Sequence, residues 1–542
     1  MKSTMMQYPL TLVHVLERAG RYFRNSGIVS RMPDRSLHRC TYQDFYRRSR
    51  QLASALTKAG MRKGDRVATL MWNHYAHLEA YFGIPVAGGV VHTLNLRLYP
   101  EDIAYIANDA EDRFLIVDDI LLPLLQQFSD RVPFEKIFVV PLTGKPVPAP
   151  YRDYEKLLAA ESGEFTYPEL DENDPAAMCY TSGTTGRPPG VVYSHRSIVL
   201  HSMATLVGDS FGINSADVLL PVVPMFHVLS WGLPHAAVMV GSKFVMPGPL
   251  LDAESLVELC ESERVTFATG VPTVWLAVLQ LLERCPNKRD LVPGMRIGIG
   301  GSAAPESMIR AFDQFGVRVI HAWGMTETSP IATVSTLKPH LRTLPEDERY
   351  AIRARSGYAL PWVDMRVMDD TGKQVADDGA AMGEVQVRGP FVTGRYHNKE
   401  IDPLKFTSDG WLRTGDVATI DSEGYIKICD RTKDLIKSGG EWISSVDLEN
   451  AIMAHPAVAE ASVIAVPHPK WSERPMAFVV LKPGTALSGN EIETFIAPKF
   501  AKWWLPDEYV FVDAIPRTST GKFLKRALRE MAASARESTT PK

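Results

Sequence analysis

No stretch of about 18 uninterrupted apolar residues, the length needed to cross a bilayer, occurs in the chain, and the nearest approach is YFGIPVAGGVV at 81–91. A spanning helix is therefore not expected, while peripheral membrane contact stays open. Cysteine is scarce: Cys40, Cys179, Cys260, Cys285 and Cys429 are odd in number, scattered and never spaced as CxxC. That excludes a disulfide framework and a thiolate metal site, and it makes a reducing, cytoplasmic compartment the expectation. Charge of one sign is not in excess, with 59 Lys and Arg against 63 Asp and Glu, so no nucleic-acid partner is expected. There is no His-Glu-x-x-His, no Cys/His cluster and no Gly-x-Ser-x-Gly, which removes zinc hydrolases and α/β-hydrolase nucleophiles from consideration. Internal repeats and low-complexity tracts are absent too, apart from a polar tail, SARESTTPK, expected to lack order.

At 542 residues with 45% hydrophobic composition, the chain exceeds what one core can serve and should form at least two structural units. Short β-branched runs recur at RVATLMWN (66–73), FLIVDD (114–119), KIFVV (136–140), VTFATGVP (265–272), MRIGIGG (295–301) and VRVIHAWG (317–324). Helical patterns such as SRQLASALTKAG (49–60) and AESLVELCESER (253–264) lie between them, an alternation that points to parallel α/β sheets. Leu10, Val13, Leu16 and Ala19 give the N-terminal segment the spacing of an amphipathic helix. After about residue 355 the texture becomes hairpin-like (MRVMDDTGKQV, GEVQVRGP, GYIKICD). The last hundred or so residues read as a small α+β unit: a helix from Ser444, strands ASVIAVPH and MAFVVLK, a helix IETFIAPKFAKWW and a basic tail. The boundary falls at DRTKD, 430–434.

The stretch TSGTTGRPPG at 181–190 follows the apolar AAMCY and precedes GVVYSHRS, so it reads as a loop between two strands, the second running into a helix. Glycines let successive backbone N–H groups converge, and Thr181, Ser182, Thr184 and Thr185 add hydroxyl donors; together they suit an anion such as phosphate. Alone, the same residues would make an ordinary polar turn. The GxxxxGK[ST] phosphate loop does not fit here, nor at TGK 520–522, where Pro516 takes the first glycine position.

TSGTTGRPPGVVYSH resembles the phosphate loop of the adenylate-forming superfamily, which includes acyl-CoA synthetases. The resemblance continues in order through PMFHVLSWG (224–232), GGSAAP (300–305), HAWGMTE (321–327), GEVQVRGP (383–390), GWLRTGD (410–416), GYIKICDRTKDLIKSGGEWIS (424–444) and PRTSTGKFLKR (516–526). It is greatest to medium- and long-chain fatty acyl-CoA ligases and to methylmercaptopropionate-CoA ligases. The fold it implies is α/β: a large N-terminal domain (1–432) of mixed and parallel α/β sheets with a β-rich subdomain, and a small mobile α+β C-terminal domain (433–542). The activity it implies is ATP- and Mg²⁺-dependent activation of a carboxylate as acyl-adenylate, followed by displacement of AMP by coenzyme A. A homodimer is also an expectation, since dimers are common in the family.

Site roles follow from the resemblance residue by residue. Thr181, Ser182, Gly183, Thr184, Thr185 and Gly186 would cradle the ATP phosphates. Glu327, with the Thr184 hydroxyl, would hold Mg²⁺, and Thr326 would contact the α-phosphate. Gly301, Ser302, Ala303, Trp323, Gly324 and Met325 resemble the segments enclosing adenine and the base of the acyl pocket. Asp416 would accept hydrogen bonds from the ribose hydroxyls, with Arg431 adding a contact. Lys522 would bridge the substrate carboxylate and the α-phosphate, relieving the repulsion of two anions. Gly439, Gly440 and Glu441 lie on the face used for the thioester step, and Lys433 maps to the hinge between two domain orientations. His227 and Trp231 map beside the acyl channel, with Ala304 in its wall.

One departure stands out. Most family members carry Pro-Lys-Gly where this chain has Pro188, Pro189 and Gly190. Losing that lysine removes a charge-assisted hydrogen bond of roughly 1.5–3 kcal/mol, or roughly 10- to 150-fold in binding or rate, which implies a slower enzyme, with Arg187 as partial substitute. Three alternatives remain open: a ligase for methylmercaptopropionate, short-chain or aryl acids, an adenylating partner of a carrier protein, and a weakly active or non-catalytic acyl- or nucleotide-binding homologue.

Overall fold

The alternation of β-branched runs with helices builds two large sheets that share a core. The computed structural model describes all residues except Lys2, 182–186, 286–288, 439–440, 518–522 and 540–542. A seven-stranded sheet runs in the order Arg152–Asp153, Lys136–Val140, Asp112–Asp118, Arg66–Leu70, Val90–Thr93, Pro175–Tyr180 and Gly190–Ser194. It is parallel up to its last pair, which is antiparallel. A nine-stranded sheet has a parallel centre of Arg318–Gly324, Arg296–Ile299, Phe267–Gly270, Val218–Pro221, Lys243–Met246 and Gly27–Arg31, flanked by antiparallel edges. Residues from both sheets, among them Phe114, Ile116, Val191, Phe244 and Phe267, belong to one apolar cluster.

The expected first helix is Leu12–Tyr22; it buries Leu12, Val15, Leu16 and Ala19, with Leu10 and Val13 at the margin. It packs on the helices Tyr42–Lys58, Tyr75–Val86 and Leu233–Val240, covering the core between them. The hairpin texture after residue 355 forms a separate antiparallel sheet of four strands, Asp364–Met368, Gly383–Arg388, Leu412–Ile420 and Ile426–Arg431. A five-stranded sheet follows, from Ile436–Ser438, Glu441–Ile443, Val458–His468, Ser472–Leu481 and Glu508–Phe511, with its own apolar clusters around Ile452, Val463, Val479 and around Ile464, Phe478, Leu528. The five cysteines are all free, and no helix among the described residues is long and apolar enough to cross a membrane.

Two expectations are corrected. IETFIAPKFAKWW is not one helix: the α-helix ends at Ile496, and two single 3₁₀ turns follow at Ala497–Lys499 and Lys502–Trp504. Pro498 supplies no N–H, and its ring would collide with the carbonyl four residues back. The first six residues of SARESTTPK, 534–539, are not structureless, because a helix runs from Lys525 to Thr539, and the last three lie outside the described residues. Leu528 and Ala532 anchor that helix in the core, and an Ala-, Arg- and Glu-rich sequence favours its extension.

The two large sheets are tied at the carboxyl ends of their strands by Asn73, which is 2% exposed. Its Nδ2 donates to the carbonyls of Pro221 (2.9 Å) and Val223 (3.0 Å), and its Oδ1 accepts from the Met225 N–H at 2.6 Å. The side chain follows a strand of one sheet and holds the PMFH segment leaving the other. Asn73→Ala should cost roughly 2–5 kcal/mol, because each buried group left unpaired costs about 1–3 kcal/mol. The check is a fall in the first thermal unfolding transition; a midpoint within experimental error of the parent would contradict the tie.

Candidate active site

The strand Arg318–Gly324 ends where Trp323, Gly324, Met325, Thr326 and Glu327 leave the sheet, the edge at which α/β sheets present ligand-binding loops. Gly324 is required there by close approach: a Cβ would stand 1.9 Å from the Pro330 carbonyl oxygen. Trp323, 8% exposed, donates from Nε1 to Asp416 Oδ2 at 2.8 Å. Asp416 Oδ1 takes Arg431 Nε at 2.6 Å. Asp416 and Arg431 face each other across neighbouring antiparallel strands, so the four-stranded sheet sets their separation. The Asp416 carboxylate raises the Arg431 pKa, against the opposing effect of burial, and Glu327 adds to the rise.

Thr326 and Glu327 are buried at 8% and 6% exposure and are held from two sides. Tyr193 donates its hydroxyl to the Thr326 carbonyl at 2.7 Å. Tyr396 donates to Glu327 Oε1 at 2.7 Å, and the Thr393 N–H to the Glu327 carbonyl at 2.8 Å. Burial first, then the Glu327 carboxylate, pushes the Tyr396 hydroxyl well above its ordinary pKa, so it remains a donor. A cavity of about 680 Å³ behind this loop is lined in part by Tyr193, Ser329, Thr393 and Tyr396. Sequence reading missed Tyr193, Thr393 and Tyr396. VVYSH and TGRYHN place aromatics beside motifs, but nothing local says they reach Glu327 and Thr326.

The loop at 181–190 bridges Pro175–Tyr180 and Gly190–Ser194, and the second strand runs into the helix His195–Leu206, as its flanks imply. Its base is closed by the Thr181 N–H donating to the Pro189 carbonyl at 3.0 Å. Arg187 stands over the Tyr105 ring, 4.5 Å from the centroid. Ser182, Gly183, Thr184, Thr185 and Gly186 lie outside the described residues, as do Gly439, Gly440 and Lys522. The Lys522 segment is flanked by a bridge between Arg517 and Phe523 and by Leu524 N–H donating to the Pro516 carbonyl at 2.8 Å. Glu441 begins the strand Glu441–Ile443. Lys433 sits in an exposed turn after the strand ending at Arg431.

The PMFHVLSWG segment takes an unusual backbone. Val228, Leu229, Ser230, Trp231 and Gly232 have φ of 38°, 56°, 49°, 57° and 78°, a left-handed turn that costs roughly 1–2 kcal/mol for each non-glycine residue. Strain of this kind persists only where surroundings over-determine it. Ser230 Oγ donates to the Val223 carbonyl at 2.7 Å, and beside the turn lies the buried Cys179 thiol, whose pKa burial pushes up to about 11. Thr93 Oγ1 lies 3.2 Å from the same sulfur. His227 begins the turn half-buried. The turn drives Trp231 inward to 4% exposure, against Gly300, where a Cβ would meet its indole at 3.1 Å. Trp231 and Ala304 belong to different apolar clusters. Ala304 packs with Ile299, Met308 and Ile309. Gly301, at φ 85°, Ser302 and Ala303 continue the chain from Gly300 to the helix starting at Glu306.

Comparison with known proteins shows the family. The family model described as AMP-binding enzyme matches residues 17–397, and that of the AMP-binding enzyme C-terminal domain matches 447–522. The chain is 50% identical over 530 residues to a long-chain-fatty-acid–CoA ligase of Thermus thermophilus, covering 97% of this chain and 96% of that one. It is 44% identical over 535 residues to a medium-chain-fatty-acid–CoA ligase of Ectopseudomonas oleovorans, covering 98% and 97%. It is also 44% identical over 538 residues to a 3-methylmercaptopropionyl-CoA ligase of Ruegeria lacuscaerulensis, covering 98% of each. Among solved structures, an anthranilate CoA ligase in complex with anthranoyl-AMP superimposes with a TM-score of 0.87 at 26% identity, covering 99% of this chain and all of that one. The chain belongs to the AMP-binding enzyme family, as an AMP-forming acid–CoA ligase.

Proposed function

We propose that the acid is a medium- or long-chain fatty carboxylate. The supporting observation is the apolar cluster around the left-handed turn, in which Trp231 is joined by Met225, Val228, Leu229 and Leu233, a surrounding that suits an alkyl chain. The relatives named as long- and medium-chain-fatty-acid ligases, at 50% and 44% identity, favour this choice, while the methylmercaptopropionyl ligase at 44% names the rival acid. Carboxylate-dependent ATP–pyrophosphate exchange should therefore be strongest with fatty acids of roughly eight to eighteen carbons, the burial of each extra CH₂ contributing about 0.8 kcal/mol. Best exchange with methylthio or aryl acids would overturn that choice in favour of a pocket shortened by Trp231.

Asp416 is assigned to the ribose hydroxyls, Arg431 to the ribose or phosphates, Trp323 to adenine, and Thr326 to the α-phosphate. Glu327 supplies hard oxygens for Mg²⁺. The described residues hold no group of three or more His, Cys, Asp or Glu that could cage a metal, and a single carboxylate sharing Mg²⁺ with substrate phosphates is the usual arrangement for this ion. When bound, the ion would neutralise phosphate charge. Tyr396 orients Glu327 by its hydrogen bond, and Lys522 is assigned to the approach of the two anions. The 181–190 loop encloses the phosphates. The chain divides at 432/433 with Lys433 as hinge, so that the Lys522 face and the SGGEW face serve adenylation and thioester formation in turn.

Asp416→Asn keeps the shape of the side chain and removes its charge. Losing charge-assisted bonds worth roughly 1.5–3 kcal/mol should raise the KM for ATP in the exchange reaction about 10- to 150-fold; an unchanged KM would remove Asp416 from the ribose role.

Pro189→Lys tests the loop. With Arg187 occupied by the Tyr105 ring, a restored lysine should raise the exchange rate about tenfold or more, since a charge-assisted bond is regained. No rise would mean that the loop has been rebuilt around another contact.

A further inference from the structure

The hairpin Ile436–Ser438 and Glu441–Ile443 carries the SGGEW run, and among the described residues it joins the rest of its sheet through one backbone pairing, Ser438 with Ser472. Two side chains from the start of the neighbouring strand supply the remaining grip at that point. Glu473 Oε2 accepts the Lys437 N–H at 2.7 Å, and Arg474 Nη1 donates to Ser438 Oγ at 3.3 Å. Arg474 is 8% exposed and its fork is spent completely. Nε and Nη2 pair with Asp507 at 2.9 and 2.6 Å, Nη2 also donates to the Leu505 carbonyl at 3.0 Å, and Nη1 donates to the Trp503 carbonyl as well. One planar guanidinium therefore joins three segments distant in sequence: the SGGEW hairpin, the strand Ser472–Leu481 and the Trp503–Asp507 corner. A lysine cannot do this, because it is a point charge on a flexible stem.

We propose that Arg474 is a positioning residue for the thioester half-reaction and not for adenylation. The inference rests on the reading above that the SGGEW face serves coenzyme A. In that step the thiol sulfur bonds to the acyl carbonyl carbon, the bond from that carbon to the AMP oxygen breaks, and the thiol proton is released: acyl-AMP and CoA-SH give acyl-S-CoA, AMP and H⁺. Arg474 touches none of the reacting atoms. It fixes Ser438 relative to the corner bearing Trp503. Of the residues assigned to adenylation, Trp323, Asp416 and Arg431 lie on other sheets, Thr326 and Glu327 in the turn after one of them, and none of these five shares a hydrogen bond with it.

The experiment measures two rates on the full chain: acid-dependent ATP–pyrophosphate exchange, and single-turnover conversion of preformed acyl-adenylate by coenzyme A. Arg474→Met should lower the second about 10- to 100-fold, the usual effect of loosening a reactive geometry by about an ångström, and leave the first within about twofold. Arg474→Lys should recover little of the loss, and Ser438→Ala, which removes only the hairpin contact, should show the same split at smaller size. If Arg474→Met does not fold, the other two variants carry the test. Parallel loss of both rates, or loss of neither, overturns the proposal. Absence of exchange in the parent protein with every acid would instead overturn the substrate reading, so the two failures are told apart.

Discussion

Asp416 is the constraint on which the site turns. A carboxylate at 4% exposure is stable only if its charge is answered. The answers come from two separate sheets: the Trp323 indole N–H from the nine-stranded sheet and the Arg431 guanidinium from the four-stranded one. Satisfying one buried charge thus locks the orientation of the β-rich sheet against the large core, and sets Thr326 and Glu327 at a fixed distance from the strand that carries Asp416. A carboxylate held this firmly can accept from sugar hydroxyls without reorganising, which is the electrostatic pre-organisation that activation of a poor electrophile needs.

The acyl side is fixed by the opposite device, a strained backbone held in place by polar ties. The turn at 228–232 is unfavourable for L-residues, yet Asn73, Thr93, Cys179 and Ser230 each occupy a backbone or side-chain partner around it. The consequence is that Trp231 is pressed into an apolar cluster against Gly300. Polar groups therefore position an apolar pocket wall. Cys179, without a pairing partner for a disulfide and with its pKa raised by burial, lies beside the turn.

Much of this was legible in the residues. The β-branched runs mark the parallel strands because both faces of such strands are buried and no alternation is needed. The loop at 181–190 announces itself by flanks and composition. Which cluster Ala304 joins was not legible, because adjacency in GGSAAP does not tell which face of the sheet a residue meets after the chain turns; it packs with Ile299 and Met308, while Gly300 meets the Trp231 indole. The 492–504 helix was overcalled because apolar spacing was read across Pro498, whose missing donor stops the α-helix. The tail was undercalled because polarity was read as disorder, although Ala, Arg and Glu are strong helix formers.

By itself the sequence determined the order of strands and helices, the glycine- and hydroxyl-rich loop, the identity of Asp416, Glu327 and Lys522 as chemically distinctive residues, and the family whose motifs they occupy. These are local facts, carried by composition and spacing. Only the tertiary structure decided that Trp323 and Asp416, 93 residues apart, share one hydrogen bond, that Tyr396 orients Glu327, that Asn73 staples two sheets, and that Arg474 gathers three segments onto one guanidinium. The physical reason is the same in each case: a buried polar group must find a partner, and which partner it finds depends on how the sheets pack.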